Sequence, residues 1–392
     1  MVKLESINTF VVSFPLSHYV SGFRPILNRT VFIVLVRAGD RIGIGESTLH
    51  SGSIYKIYKK LSFLSKRLKH LHLEEALDTL RKIELKEFEN KTRHLNYEAY
   101  LALESAMIDV ASKHYERSIA EILGGIYREE IPVAGSIFLK HPMKMGEDLE
   151  NWIRKGVKHI KFKVPKSLSE LEVLLKTFRS ILSKVGADDI VLRCDANQCF
   201  ETFEKAFKAM KVIEKFGVHI IEQPMPKHSL KEISRLRKIF APNLKIMLDE
   251  SLETPRDIET FASSEVADII NIHPPKMGCL TITRDTILEI MRLGLEVNIG
   301  SALMTEIGLT HYLNLAASLP KLQYPLEEIG LFNLYGYNIT DKPNNLAITD
   351  GKINVCHTIR IPRVMELKKY VVTPRPPIHM LLRYKLSHLM QI

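Results

Sequence analysis

From residue 133 onward, short apolar runs alternate with longer amphipathic stretches, so strands and helices are predicted in turn. The strand runs are 159–164, 190–195, 218–222, 244–249, 268–273 and 295–299. Between them, apolar positions recur at helical spacing over 168–185, 200–216, 230–239, 255–262 and 281–293. Strand-then-helix units of this length imply a parallel sheet. The Gly-rich turn of a doubly wound fold is missing, which favours a closed β/α barrel.

The pattern before residue 125 is different. Residues 3–13 alternate loosely, 30–36 is a β-branched run, and 42–46 resumes as a strand after the Gly39-Asp40 turn. Helical periodicity then covers 55–68, 73–83 and 96–113, with a stop at Leu123-Gly124-Gly125. Residues 1–125 are therefore expected to form an α+β capping domain, completed by about residues 340–392, with the barrel over 126–335. Residues 346–355 read as a hairpin turning at Asp350-Gly351 and returning to the small domain. After Pro377, Leu382, Leu386, Leu389 and Met390 share a helical face, as a packed or dimer-contact helix would. Gly43 and Gly45 form a G-x-G without a third glycine or a following helix, so no dinucleotide site is expected.

Three acids close successive strand runs: Asp195, Glu222 and Asp249. The intervals 195 to 222 and 222 to 249 are both 27 residues, about one strand, one helix and two loops. Singly, each acid reads as a routine helix cap or loop residue. In register, they converge at the C-terminal rim of neighbouring parallel strands, where a hard divalent cation binds. No histidine or thiolate joins them at ligand spacing in the sequence, so Mg²⁺, with Mn²⁺ as alternative, is expected over zinc.

Upstream, Lys161-Phe162-Lys163 puts both lysines on one side of a strand and the phenylalanine on the other. Interior ammonium groups need carboxylates or an anionic substrate beside them. A like-charged neighbour and partial burial would bring a lysine toward a useful base. Asn197 follows Asp195 on the same face, and Glu250 follows Asp249. His273, 24 residues after Asp249, would project into the mouth opposite Lys163, with Lys276 beyond the strand end.

These residues resemble the enolase superfamily, in the branch of muconate-lactonising enzymes, o-succinylbenzoate synthases, N-acylamino acid racemases and dipeptide epimerases. The resemblance rests on Lys161-Phe162-Lys163, Asp195-Ala196-Asn197, Glu222-Gln223-Pro224, Asp249-Glu250-Ser251 and Asn271-Ile272 with Gly278. Asn28-Arg29-Thr30 and Gly43-Ile44-Gly45-Glu46 match the capping domain, and the whole covers about residues 3 to 360. It implies a modified (β/α)7β TIM barrel with an N-terminal α+β capping domain. It also implies metal at Asp195, Glu222 and Asp249, and Lys163 as the base on the carbon next to a substrate carboxylate. Lys161 and the metal would stabilise the enediolate, as is general for that superfamily.

The chain departs from the branch at three places. His273 stands where lysine is usual, Gly278-Cys279 replaces a glycine pair, and Met304, after Ser301, stands where many relatives carry glutamate. His273 is expected to act as a second base or a neutral donor. An isomerase (racemase, epimerase or cycloisomerase) is the leading expectation. A dehydratase-type lyase, or a metal- and anion-binding homologue without turnover, is the alternative. The family also implies a specificity lid over 14–25 and 48–55, with His18, Tyr19 and Arg24 facing substrate.

Composition adds exclusions. With 392 residues, 45% hydrophobic and 26% charged, the chain can bury a sizeable core. The net charge of +10 comes from lysines and arginines spread along the whole length, so a solvated surface is expected and no nucleic-acid partner. No run of 18 apolar residues occurs, so no membrane partner is expected. The start is polar and acidic too early for a signal peptide. Cys194, Cys199, Cys279 and Cys356 fit no CxxC spacing, so neither zinc nor a disulfide framework is expected. A cytoplasmic homo-oligomer acting on a small carboxylate-bearing substrate completes the expectation.

Overall fold

The structure, a computed structural model, describes residues 2–16, 20–21, 24–25, 27–50, 53–89, 96–187, 189–301, 303–327, 346–357, 359 and 368–372. His18, Tyr19, Ala302, the stretch 338–345 and the C-terminal face from Leu382 to Met390 lie outside the described residues, as does the side chain of Arg24.

The chain opens with β1 (Leu4–Pro15), the short ribbon strands β2 (Val20–Ser21) and β3 (Arg24–Pro25), then β4 (Asn28–Ala38) and β5 (Arg41–Thr48). β1, β4 and β5 form an antiparallel sheet in that order. Helices α1 (Ile54–Leu68), α2 (Leu73–Glu89), α3 (Tyr97–Tyr115) and α4 (Ile119–Leu123) follow. The apolar stripe of α1, Ile57, Leu61, Leu64 and Leu68, is buried at helical spacing. α3 is buried on every side because it lies between the sheet and the barrel. Here the Gly43-x-Gly45 motif finds its purpose. A Cβ on Gly43 would stand 2.1 Å from the Ala106 carbonyl oxygen, and one on Gly45 2.2 Å from that of Ala102. The glycines admit a helix backbone against the strand.

The barrel follows as β6 (Glu130–Ile137), α5 (Pro142–Arg154), β7 (His159–Lys163), α6 (Leu168–Val185), β8 (Val191–Asp195), α7 (Phe203–Lys215) and β9 (Ile220–Glu222). It continues with α8 (Leu230–Phe240), β10 (Lys245–Leu248), α9 (Asp257–Ser263), β11 (Ile269–Ile272), the single turn α10 (Pro274–Met277) and α11 (Leu280–Arg292). β12 (Glu296–Ile299), α12 (Glu306–Ala317) and β13 (Leu326–Glu327) complete it. The strands pair in parallel from β13 through β6 and on to β12, a (β/α)7β barrel with the expected capping sheet. Between β12 and β13 side chains bridge the gap: Val297 N–H donates to Gln323 Oε1 at 2.9 Å, and Asn298 Nδ2 to Glu327 Oε1 at 3.1 Å.

The hairpin expected over 346–355 turns at Asp350-Gly351, but its strand β14 (Lys352–Asn354) goes elsewhere than expected. It pairs antiparallel with Glu130–Pro132 of β6, not with the small-domain sheet. The ladders of β13 and β7 on β6 begin only at Val133 and Ala134, so the first residues of β6 would otherwise lack partners. The chain does reach the small domain later, where Val371 bridges Val12.

Three carboxylates of the capping domain seat it on the barrel by capping helix N-termini. Glu46 accepts from Thr305 N (2.8 Å), Gly308 N (3.2 Å) and the Thr305 hydroxyl at the start of α12. Glu84 accepts from Cys279 N at 3.1 and 3.3 Å. Glu104 accepts from Thr281 N and Oγ1 at 3.0 and 2.5 Å, both at the start of α11. Burial raises all three carboxyls, Glu46 to about 7.

Candidate active site at the barrel mouth

Alternation along the strands builds the site. Phe162 faces outward against Phe178 of α6, with ring centroids 5.2 Å apart, so Lys161 and Lys163 face inward. Lys163 Nζ lies 2.6 Å from Asp195 Oδ2 and 2.7 Å from Asn197 Oδ1. Lys161 Nζ reaches Glu327 Oε2 at 2.7 Å, Glu222 Oε2 at 3.4 Å and Asp195 Oδ2 at 3.8 Å. Burial opposes the charge on Lys161, but the Glu222, Glu327 and Asp195 carboxylates outweigh it and raise its pKa. Of the two lysines, Lys161 is thus a fixed cation.

Two of the three expected acids, Glu222 and Asp249, come together at this rim, while Asp195 ends the strand beside Glu222 and holds Lys163. Glu222 and Asp249 are buried, and an oxygen of each lies within 4.8 Å of the other and of a His273 nitrogen. This corrects the expectation that no histidine joins the acids. Folding brings in the imidazole from the next strand, although the linear spacing gives no ligand motif. Burial and the neighbouring Asp195 push Glu222 up to about 8, against the pull of Lys161. Burial, then Asp249 and Asp195, push Glu250 up to about 8 as well. Burial would also raise Asp249, but Lys276 and His273 hold it well below the usual carboxylate range. Lys276 Nζ sits 2.6 Å from Asp249 Oδ1 and 2.8 Å from its carbonyl.

Lys161, shared with Glu327 and Asp195, only partly offsets the Glu222 charge, and Glu250 Oε2 is buried without a hydrogen-bond partner among the described residues. This donor set fits a divalent cation, whose binding would drive protons off the acids. The loops that carry it are under local strain. Asn197, Gln198 and Gln223 hold left-handed φ of 41, 65 and 38°. Gln223 Oε1 clamps the loop after β10 by accepting from Asp249 N and Ser251 N, both at 3.0 Å. Asn197 Nδ2 donates to Glu250 Oε1 at 3.2 Å.

Beneath the mouth lies a polar layer of which the sequence reading singles out only Asn271. Arg193, buried, pairs with Glu327 and donates to Asn298 Oδ1 at 3.1 Å. Asn298 Nδ2 donates to Asn271 Oδ1 at 2.7 Å, and Asn271 Nδ2 to Glu222 Oε1 at 2.8 Å. Burial works against the Glu327 charge, yet Lys161 and Arg193 lower its pKa to about 2. Alternation could have found Arg193, two residues before Asp195. Glu327 ends a two-residue strand that carries no pattern. Ser301 is buried and donates its N–H to Glu327 Oε2 at 3.5 Å, while Met304 joins the main hydrophobic core.

Comparison with known proteins agrees with this geometry. Residues 144–358 match the family described as enolase C-terminal domain-like. An N-succinyl-L-Arg/Lys racemase of Bacillus cereus is 26% identical over 209 residues, 53% of this chain and 55% of the racemase. The match thus spans about half of that relative's length. The chloromuconate cycloisomerase CbnB of Cupriavidus necator is 25% identical over 335 residues, 84% of this chain and 88% of the enzyme. A muconate lactonizing enzyme of Pseudomonas fluorescens, solved with muconolactone, shares the fold at a TM-score of 0.81 and 22% identity, over 95% of this chain and 100% of the other. The matched stretch is more than half of the chain, so the chain belongs to the enolase C-terminal domain-like family.

Proposed function

We propose that the protein is a Mg²⁺- or Mn²⁺-dependent isomerase that removes a proton from the carbon next to a substrate carboxylate. The observation that carries this reading is Lys163 Nζ, 2.6 Å from Asp195 Oδ2 at the rim where Glu222 ends β9 and Asp249 follows β10. A metal bound by Asp195, Glu222 and Asp249 would supply positive charge to the substrate carboxylate. Lys163, released from Asp195 and having given one proton to solvent, takes the α-proton on its neutral amine and can return it to the product. Lys161, fixed by Glu327, balances the negative charge that spreads onto the carboxylate as an enediolate forms. Asn197 orients Lys163, and Lys276 orients Asp249.

The racemase and cycloisomerase relatives support an isomerase over the dehydratase alternative. We further propose a cytoplasmic homo-oligomer; the four cysteines are free, and no described helix is long and apolar enough to cross a membrane. Light scattering after size exclusion reads the oligomer directly.

The test is incubation in deuterated water with a library of carboxylic acids, N-acyl amino acids and dipeptides. Deuterium should enter the α-position of at least one member, and Lys163→Ala should stop it. Absence of label across the library with metal-loaded protein would count against the reading.

A further inference from the structure

His273 has the geometry of a ligand. It is 6% exposed, and its Nε2 stands 3.2 Å from Asp249 Oδ1. Nε2, a Glu222 oxygen and an Asp249 oxygen lie within 4.8 Å of one another. Around an ion with bonds of about 2.1 Å, octahedral donors stand about 3 Å apart when adjacent and about 4.2 Å apart when opposite. A slight contraction brings the three into that range.

The surroundings keep the ring where it is. Asp249 Oδ1, 3.2 Å away, accepts from Nε2–H, and Asn271 Nδ2 lies 3.4 Å from the same nitrogen; a cation would take that proton's place between imidazole and carboxylate. Nδ1 is buried without a partner among the described residues and can carry the ring proton when Nε2 holds the ion. His50 stacks on the imidazole with centroids 5.4 Å apart. Gly300 leaves the space: a Cβ there would stand 2.6 Å from Nε2 and 2.5 Å from Cε1.

We propose that His273 Nε2 is itself a ligand of the divalent cation, joining Glu222 and Asp249. An imidazole in the set shifts preference from Mg²⁺ toward Mn²⁺, Fe²⁺ or Co²⁺. It also removes His273 from the candidates for a second base. This inference rests on the metal site proposed above and specifies its donors.

The experiment strips the full chain with chelator, reloads it with Mn²⁺ and records electron spin echo envelope modulation. The expected result is the nitrogen coupling of a directly bound imidazole, lost in His273→Gln. Equilibrium dialysis should show the Mn²⁺ Kd rising about ten-fold or more in His273→Gln, with that for Mg²⁺ moving less than about three-fold. Mn²⁺ bound without nitrogen coupling overturns the His273 assignment and leaves the carboxylate metal site standing. Failure to retain either ion overturns both. The coupling is read on the unaltered protein, so misfolding of the variant cannot produce a false negative.

Discussion

Lys163 and Asp195 are cross-strand partners in the parallel ladder of β7 and β8, and their side chains meet at 2.6 Å beyond it. The proposed base and a proposed metal ligand are thus fixed relative to each other by backbone register. Lys163→Ala should lower α-hydrogen exchange by about 10²–10⁴-fold on any acid the unaltered protein labels. Exchange within three-fold of wild type would remove Lys163 from the chemistry.

Metal should act as a stabilising ligand. At about 100 times its Kd, Mn²⁺ should add about 2.7 kcal/mol to the unfolding free energy. In Asp249→Asn the same Mn²⁺ concentration should add far less, because one ligand charge is gone. Thermal unfolding with and without the ion measures the difference.

Glu327 holds two buried cations, Lys161 and Arg193. Glu327→Gln leaves both underpaired and should cost about 3–5 kcal/mol in urea unfolding. A change below 1 kcal/mol would show that the layer tolerates the missing charge.

Glu46 gives stability a pH dependence of defined sign. Its folded pKa of about 7 exceeds the ordinary glutamate value of 4.5, so the folded state holds a proton that the unfolded state releases between those values. The contribution is fully present below pH 4.5 and disappears as pH rises through 7. It amounts to about 3 kcal/mol by linkage. Relative to wild type, Glu46→Gln should flatten unfolding free energy across that window; an unchanged slope would refute the assignment.

Gly278→Ala should destabilise docking. Its φ is +92°, and a Cβ would stand 1.5 Å from Glu84 Oε1. The cost should reach about 2–3 kcal/mol. Adding Glu84→Ser should recover part of it, a non-additive result readable in a double-mutant cycle.

The barrel was legible because strand and helix periods are local properties, and the acid ladder because each rung ends its own strand. Lys161, Asp195 and Glu222 sit together at the rim that the 27-residue spacing predicts. The His273 contact with Asp249 and Glu222 was not legible, since it depends on how adjacent strands stagger. Glu327 escaped because two residues show no alternation. The pairing of β14 with β6 escaped because it fills a shortage on another strand, which 346–355 themselves do not reveal.

The seating of the capping domain has a consequence for exchange between proteins. Glu46, Glu84 and Glu104 contribute side chains, whereas the barrel answers mostly with main-chain amides of residues 279, 281, 305 and 308. Any sequence that starts a helix offers those amides. The barrel can therefore vary its residues there and still receive its cap. A foreign cap would fit only if it brought carboxylates to the same three places.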